Sequence, residues 1–245
     1  MIIGLGSLIN GLAIVLGSVL GILFGAKLKD KSKELIMSCL GLITACAAAD
    51  MTKSMWSETY LKSIPKGWSI IAILIALISG ALIGTAVDIE TRLEKLGNRL
   101  RNILRANESS SFVDGFVLAS LIFVVGPMAI LGGISDGMRT GIQILLLKSV
   151  LDGIAAMAFS ATFGWGVAVS AIPTAIYQLL WTGIGWSLGN ILTDYQISAI
   201  TATGGLLIFC ISLRLLKIKD IPIGNLLPAL FIAPILVYVL NQFVN

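Results

Sequence analysis

Lys148 and Asp152 lie four residues apart in the run Leu147-Lys148-Ser149-Val150-Leu151-Asp152-Gly153. The stretch around them, from Gly141 to Phe163, is otherwise apolar. On a helix, positions i and i+4 share a face, so the ammonium and the carboxylate can pair. Counted from Gly141, Lys148 sits about 10 Å and Asp152 about 16 Å along such a helix, near the middle of a bilayer. A lone charge there costs about 3 kcal/mol or more, so such groups face other protein or water and mark ion and solute paths. Lys148 can also snorkel toward its nearer interface, which leaves Asp152 the more significant charge. Two readings stay open: a pair lining a polar pathway, or a pair that locks helix packing.

A second signal is Gly126-Pro127-Met128-Ala129-Ile130-Leu131-Gly132-Gly133, followed by Ser135-Asp136-Gly137. Proline removes a backbone donor and clashes with the turn before it, and the glycines loosen what remains. The spacing predicts a span bent or interrupted between Gly126 and Gly133. Freed backbone groups at depth are tolerated where they are buried in protein or line a cavity, and broken spans supply sites in many transporters. A harmless proline kink is the alternative. Asp136 is expected at the turn leading into the Lys148–Asp152 span. Further polar candidates inside apolar stretches are Asn10, Tyr177 and Gln178.

These residues need elements to hold them, and composition says which kind. Of 245 residues, 57% are hydrophobic and 12% charged, against roughly a quarter charged in soluble domains. The mean hydropathy is +0.97. Charges gather between long apolar stretches, the pattern that a hydrocarbon core imposes. We therefore expect an all-α polytopic membrane bundle, one multi-pass domain over 1–245, with eight spans. These are Ile2–Phe24, Glu34–Met51, Trp68–Val87, Phe112–Ile134, Gly141–Phe163, Val167–Leu188, Ile197–Leu215 and Asn225–Phe243. Seven spans result if the short second one fails to cross. The start lacks a basic n-region, so the first span is expected to be retained rather than cleaved.

Other chemistry is excluded by residue type. The chain has no histidine, which removes imidazole metal sites and Ser-His triads. No Gly-x-x-x-x-Gly-Lys-Ser/Thr loop occurs, so nucleotide-driven transport is not expected. Asp136 and Asp152 each precede a glycine, yet the Gly-x-Gly-Asp signature of membrane aspartyl proteases is absent. No catalytic residue, metal or cofactor is expected. Cys39, Cys46 and Cys210 are expected to be packing residues, since Cys39 and Cys46 stand about 10.5 Å apart along one helix, too far for a disulfide.

Topology follows from basic residues. Twelve Lys and Arg fall in the odd-numbered loops and four in the even-numbered ones, which puts the odd loops in the cytoplasm and both termini outside. One cytoplasmic segment, Asp88 to Leu104, carries apolar residues at helical spacing and Arg92, Lys95, Arg99 and Arg101 opposite them. It is predicted to be a basic amphipathic helix in the headgroup plane, touching membrane lipids, with Asp88 as its N-cap; the alternative is a solvated connector packed on neighbouring loops. Small residues four apart recur at Gly17–Gly25, Gly80–Gly84 and Gly183–Gly189, the spacing of close helix packing and a sign of an internal repeat.

Taken together, the residues resemble a known family. Gly-Pro-Met-Ala-Ile-Leu-Gly at 126–132, the Asp136-Gly137 step, Lys148 through Gly153 and Ser170-Ala-Ile-Pro173 through Tyr177-Gln178 carry the likeness. Gly6-Ser-Leu-Ile-Asn-Gly11 and Asn225-Leu-Leu-Pro-Ala-Leu230 extend it over nearly the whole chain. The pattern is similar to that of the bacterial domain-of-unknown-function family 554. The resemblance implies a multi-pass protein of the bacterial plasma membrane, with no catalytic residues to carry over.

The residues favour a transporter or channel for a small solute or ion, its polar path near the fourth to sixth spans. The alternative is a structural or regulatory membrane protein whose glycine faces hold a homo-oligomer. Nucleic acid is not an expected partner. The orientation is directly testable: a cysteine placed in loop 88–111 should resist an impermeant thiol reagent added outside intact cells. Efficient labelling there would reverse the topology.

Overall fold

In a computed structural model, residues 2–26, 29–103, 110–189 and 191–244 are described. Among them there is no strand. Leu104, the expected end of the amphipathic helix, lies outside the described residues. The contacts divide the chain into two compact units. The first holds residues 1–40, 92–124 and 128–191, the second 41–91, 125–127 and 192–245.

The principal helices of the first unit are α1 (Leu5–Gly25), α6 (Ser110–Val124), α7 (Pro127–Gly137), α8 (Gln143–Phe163), α9 (Trp165–Val169) and α10 (Ala171–Leu188). α1 shows how such a unit is built. Apart from Ile14, its buried residues are small or polar: Gly6, Ser7, Asn10, Gly17, Ser18, Gly21 and Gly25. Leu8, Leu12, Leu16, Leu20 and Leu23 face outward. This is a soluble helix turned inside out. Lipid is as apolar as leucine, so the large side chains gain nothing by burial, and association rests on close approach of small residues and on polar contacts.

The close approach is between α1 and α8. A Cβ on Gly17, Gly21 or Gly25 would collide with backbone at Gly153, Met157 and Ala161 respectively. Both series climb by four, so the two helices run parallel. α7 and α10 are parallel as well, with Gly133 against Gln178 and Trp181 and Gly137 against Thr182 and Trp186.

Parallel neighbours in a membrane are separated by an odd number of crossings. Between α1 and α8 lie α2 (Asp30–Thr52), α4 (Ser69–Val87) and the α6–α7 pair. Among the described residues seven helices are long and apolar enough to span, and α6 with α7 makes an eighth if the bent pair counts as one. With α2 and α4 each crossing once, the parallel seam requires that the bent pair cross too. The bend is 63° and falls at the predicted place. Gly126 has φ 151, a conformation few side chains tolerate. Pro127 is the first residue of α7, where its missing N–H would have had no helical partner.

The second unit contains the end of α2, α3 (Glu58–Lys62), α4, α11 (Asp194–Leu215) and α12 (Ala229–Asn241). α4 and α12 are antiparallel, since a Cβ on Gly80 or Gly84 would meet Ala229 or Asn225. Its core includes Met55, Tyr60, Ile64, Ala72, Ile73, Ala76, Ala199, Ala233 and Val237.

Several expectations shift. α2 has 23 residues, about 35 Å at helical rise, so it is not short. The polar connection 52–67 is not a plain loop: it forms a 3-10 turn at Lys53–Trp56 and α3, and sends Met55, Tyr60 and Ile64 into the core. The sixth span is continuous over Trp165–Ser187, with α9 and α10 separated only by Ser170, itself helical at φ −63. Cys39 and Cys46 are exposed rather than packed, and all three cysteines are free. The amphipathic helix, α5 (Ile89–Ile103), is present. Asp88, however, is the left-handed residue that ends α4, with φ 57.

Candidate functional site

The site is built on the α1–α8 seam. Because the two helices touch through glycine, a side chain from one reaches a side chain on the other. Asp152 Oδ2 accepts from Lys148 Nζ at 2.6 Å, one turn back on the same helix. It also accepts from Asn10 Nδ2 at 3.0 Å, across the seam. The Lys148 and Asp152 side chains are only 8% and 9% exposed, and Asn10 is fully buried. Lys148 therefore does not snorkel. Its ammonium lies 5.9 Å from the centre of the Phe123 ring, a favourable placement for a cation. Phe123 stands three residues before Gly126, so the ammonium borders the end of α6 just ahead of the break. Ser149 donates to the Leu145 carbonyl at 2.6 Å and adds nothing to the cluster.

Asp136 has a different task from the one its sequence position suggests. It stands where expected, one residue before the end of α7, with its carbonyl accepting from the Arg139 amide at 3.1 Å, but its side chain is fully buried. Its carboxylate accepts from the Gly4 amide at 3.2 Å and the Gly6 amide at 2.9 Å. The first amides of a helix have no helical partner, and a negative charge there is favoured by the helix dipole. Asp136 caps α1 from outside, and Gly4, left-handed at φ 85, turns the chain into the helix.

Around the first turns of α1, four helices of the unit converge. Gly4 lies against Leu179 of α10, Gly6 against Leu145 of α8, and Gly133 of α7 against Gln178 and Trp181. Gln178 is fully buried, and neither its amide oxygen nor its amide nitrogen has a partner. The same holds for Ser7 Oγ and Asn10 Oδ1. Buried polar groups are nearly always paired, and three such side chains around one junction are unusual. The Tyr177 ring meets Trp181 edge-on at 6.2 Å between centroids. Of the residues singled out from the sequence, Asn10, Lys148 and Asp152 are in direct contact. Asp136 and Gln178 border the same junction, and Gly126 and Pro127 form the break.

At the other end of the α1–α8 seam is a cavity of about 300 Å³, lined by Ile22, Gly25, Lys33, Ser160, Thr162 and Trp165. Between this cavity and the Asp152 cluster, Gly17 and Gly21 press on backbone, so the seam is shut there.

Sequence reasoning missed Ser7, Phe123 and one further carboxylate. Ser7 sits one turn before Asn10, which was a usable signal. In the second unit Glu90, only 7% exposed, accepts from the Gly224 amide at 2.6 Å and pairs with Arg214 at 3.1 Å. Its own amide donates to the Asn225 side chain at 3.0 Å. Nothing local distinguishes Glu90 from its exposed neighbours, since its partners are more than 120 residues away. Among the described residues no group of three His, Cys, Asp or Glu is placed to hold a metal.

A family model described as protein of unknown function (DUF554) matches residues 5–238. Relatives include the uncharacterized membrane protein YdfK of Bacillus subtilis, 28% identical over 238 residues that make up 97% of each chain. Another is the uncharacterized protein YqgA of Escherichia coli, 31% identical over 236 residues, 94% of each. No solved structure matches.

The pair makes a sharp stability prediction. Removing one member strands the other charge at depth, at about 3–5 kcal/mol, whereas removing both relieves the desolvation. Asp152→Leu or Lys148→Met alone should lower the melting temperature in detergent well below wild type, and the double variant should recover most of the loss. Additive losses in the double variant would mean that the two groups are not coupled.

Proposed function

This chain belongs to the DUF554 family of membrane proteins, and we propose that it is a secondary transporter or channel for a small solute or ion, its polar route running along the α1–α8 seam of the first unit. The observation that carries this reading is the Lys148–Asp152–Asn10 cluster, with charge and unsatisfied amide groups held inside spanning helices. Charge at that depth is costly, and a bundle needing only adhesion has the glycine seam already. The bent α6–α7 span beside the cluster and the cavity at the far end of the seam support the same reading. The closed Gly17–Gly21 stretch between them is what an occluded state requires.

Two competing readings lose support. An enzyme needs a nucleophile beside a base or an activated water, and Ser149, the hydroxyl nearest in sequence to the pair, is committed to a backbone carbonyl. A glycine-faced oligomeric scaffold needs its small-residue stripes free, yet two of the three, Gly17–Gly25 and Gly80–Gly84, are used within their own units, and only Gly183 and Gly189 of the third meet open space. With no nucleotide loop in the sequence, movement is passive or gradient-driven. The family relatives in Bacillus and Escherichia favour a bacterial plasma-membrane location.

The test is flux. In liposomes carrying purified protein, a panel of ions and small metabolites should show at least one solute entering faster than in protein-free vesicles. The double variant Asp152→Asn with Lys148→Met should remain folded and lose that flux by at least about tenfold, equivalent to 1.4 kcal/mol in a barrier. Wild-type flux in the folded double variant would reduce the pair to architecture.

A further inference from the structure

The partners of Asp152 are unequal in kind, and that inequality points to a ligand. The Asn10 nitrogen is committed to the carboxylate at 3.0 Å. The oxygen of the same planar amide has no partner, although the residue is fully buried. One turn earlier on the same helix, the Ser7 hydroxyl oxygen is also buried and unpartnered. A carboxylate with a neutral, unsatisfied amide oxygen beside it, and an unsatisfied hydroxyl one helical turn further along, is a hard-oxygen donor set. Such donors suit small hard cations rather than transition metals, and a single carboxylate suits one positive charge rather than two. We propose that Asp152, Asn10 and Ser7 form a binding site for a small monovalent cation, for which the Lys148 ammonium is the resident competitor. The proposal deepens the transport reading and rests on it for its purpose, though not for its chemistry.

The structure supplies both positions that the competition needs. With Lys148 on Asp152 at 2.6 Å, the carboxylate is neutralised and the site is closed. For an ion to enter, the ammonium must leave without being stranded. Lys148 is one turn nearer the start of α8 than Asp152 is, and the Phe123 ring already lies 5.9 Å from its nitrogen. The ring face gives the ammonium a second favourable position, and its flexible stem can carry it toward the nearer interface. The ion would then take Asp152, and the Asn10 amide can turn its oxygen toward that ion while Ser7 completes the shell. No covalent bond changes and no proton need move.

Sodium serves as the probe, with choline, too large for the site, as its control. Purified protein in detergent is melted in rising sodium chloride against choline chloride at constant ionic strength. A ligand that binds only the folded state raises stability by RT ln(1 + [L]/Kd), so the melting temperature should start to climb once sodium passes Kd and gain about 3–5 °C for the next tenfold of sodium. Asp152→Asn should abolish the sodium-specific climb. Lys148→Met removes the competitor and should begin its climb at about tenfold lower sodium. Asn10→Leu should need about tenfold more. A climb seen only in Lys148→Met upholds the site with the ammonium as its dominant occupant. A climb that survives Asp152→Asn, or no climb in wild type and Lys148→Met alike, overturns it. Binding is read here without flux. A chain that binds sodium but moves nothing keeps this site and loses the transport reading, and one that moves solute with no sodium effect loses this site alone.

Discussion

A bilayer core offers no partner to a polar group, so whatever polarity the chain carries into it must be satisfied by the chain itself. In the first unit that constraint centres on one carboxylate. Asp152 is held by an ammonium from its own helix and by an amide from α1, more than 140 residues earlier. The second of these contacts forms only where α1 and α8 lie against each other. They do so because Gly17, Gly21 and Gly25 allow backbone to meet backbone. The start of α1 is fixed in turn by Asp136, whose carboxylate closes on the Gly4 and Gly6 amides. The seam, the cap and the buried pair are thus one arrangement, and loosening any part exposes a charge to a medium that cannot solvate it.

The same constraint made much of the fold legible in advance. Long apolar stretches between clustered charges placed the spans, since little else tolerates so few polar residues. Pro127 with its glycines placed the break within the fourth span, and the 63° bend lies there. Lys148 and Asp152 were readable because a charge in such a stretch has few physical excuses, and their i, i+4 spacing is enough to pair them. Asn10 was visible as a polar residue in an apolar run, though not as the partner of Asp152.

What stayed hidden depended on partners far along the chain. Asp136 sits beside a turn signal, and only folding brings α1's free amides over it. Glu90 belongs to a strongly charged segment, so its burial against Gly224 and Arg214 has no local mark. Met55, Tyr60 and Ile64 lie among lysines and serines that read as a loop, yet they complete the second unit's core. Phe123 was one aromatic residue among apolar ones until Lys148 was found beside its ring.

Whether the polar seam is a route or only an arrangement is decided by water. Ser7 and Leu8 are neighbours on α1, one fully buried at the junction and the other 60% exposed on the lipid-facing side. In a background with Cys39, Cys46 and Cys210 replaced, Ser7→Cys and Leu8→Cys can be treated in native membranes with a small, charged, impermeant thiol reagent. Thiolate is the reacting form, and it exists only where water reaches. The account predicts that Ser7→Cys is modified from at least one side of the membrane while Leu8→Cys stays inert. An inert Ser7→Cys from both sides, reactive only after the protein is unfolded, would contradict it.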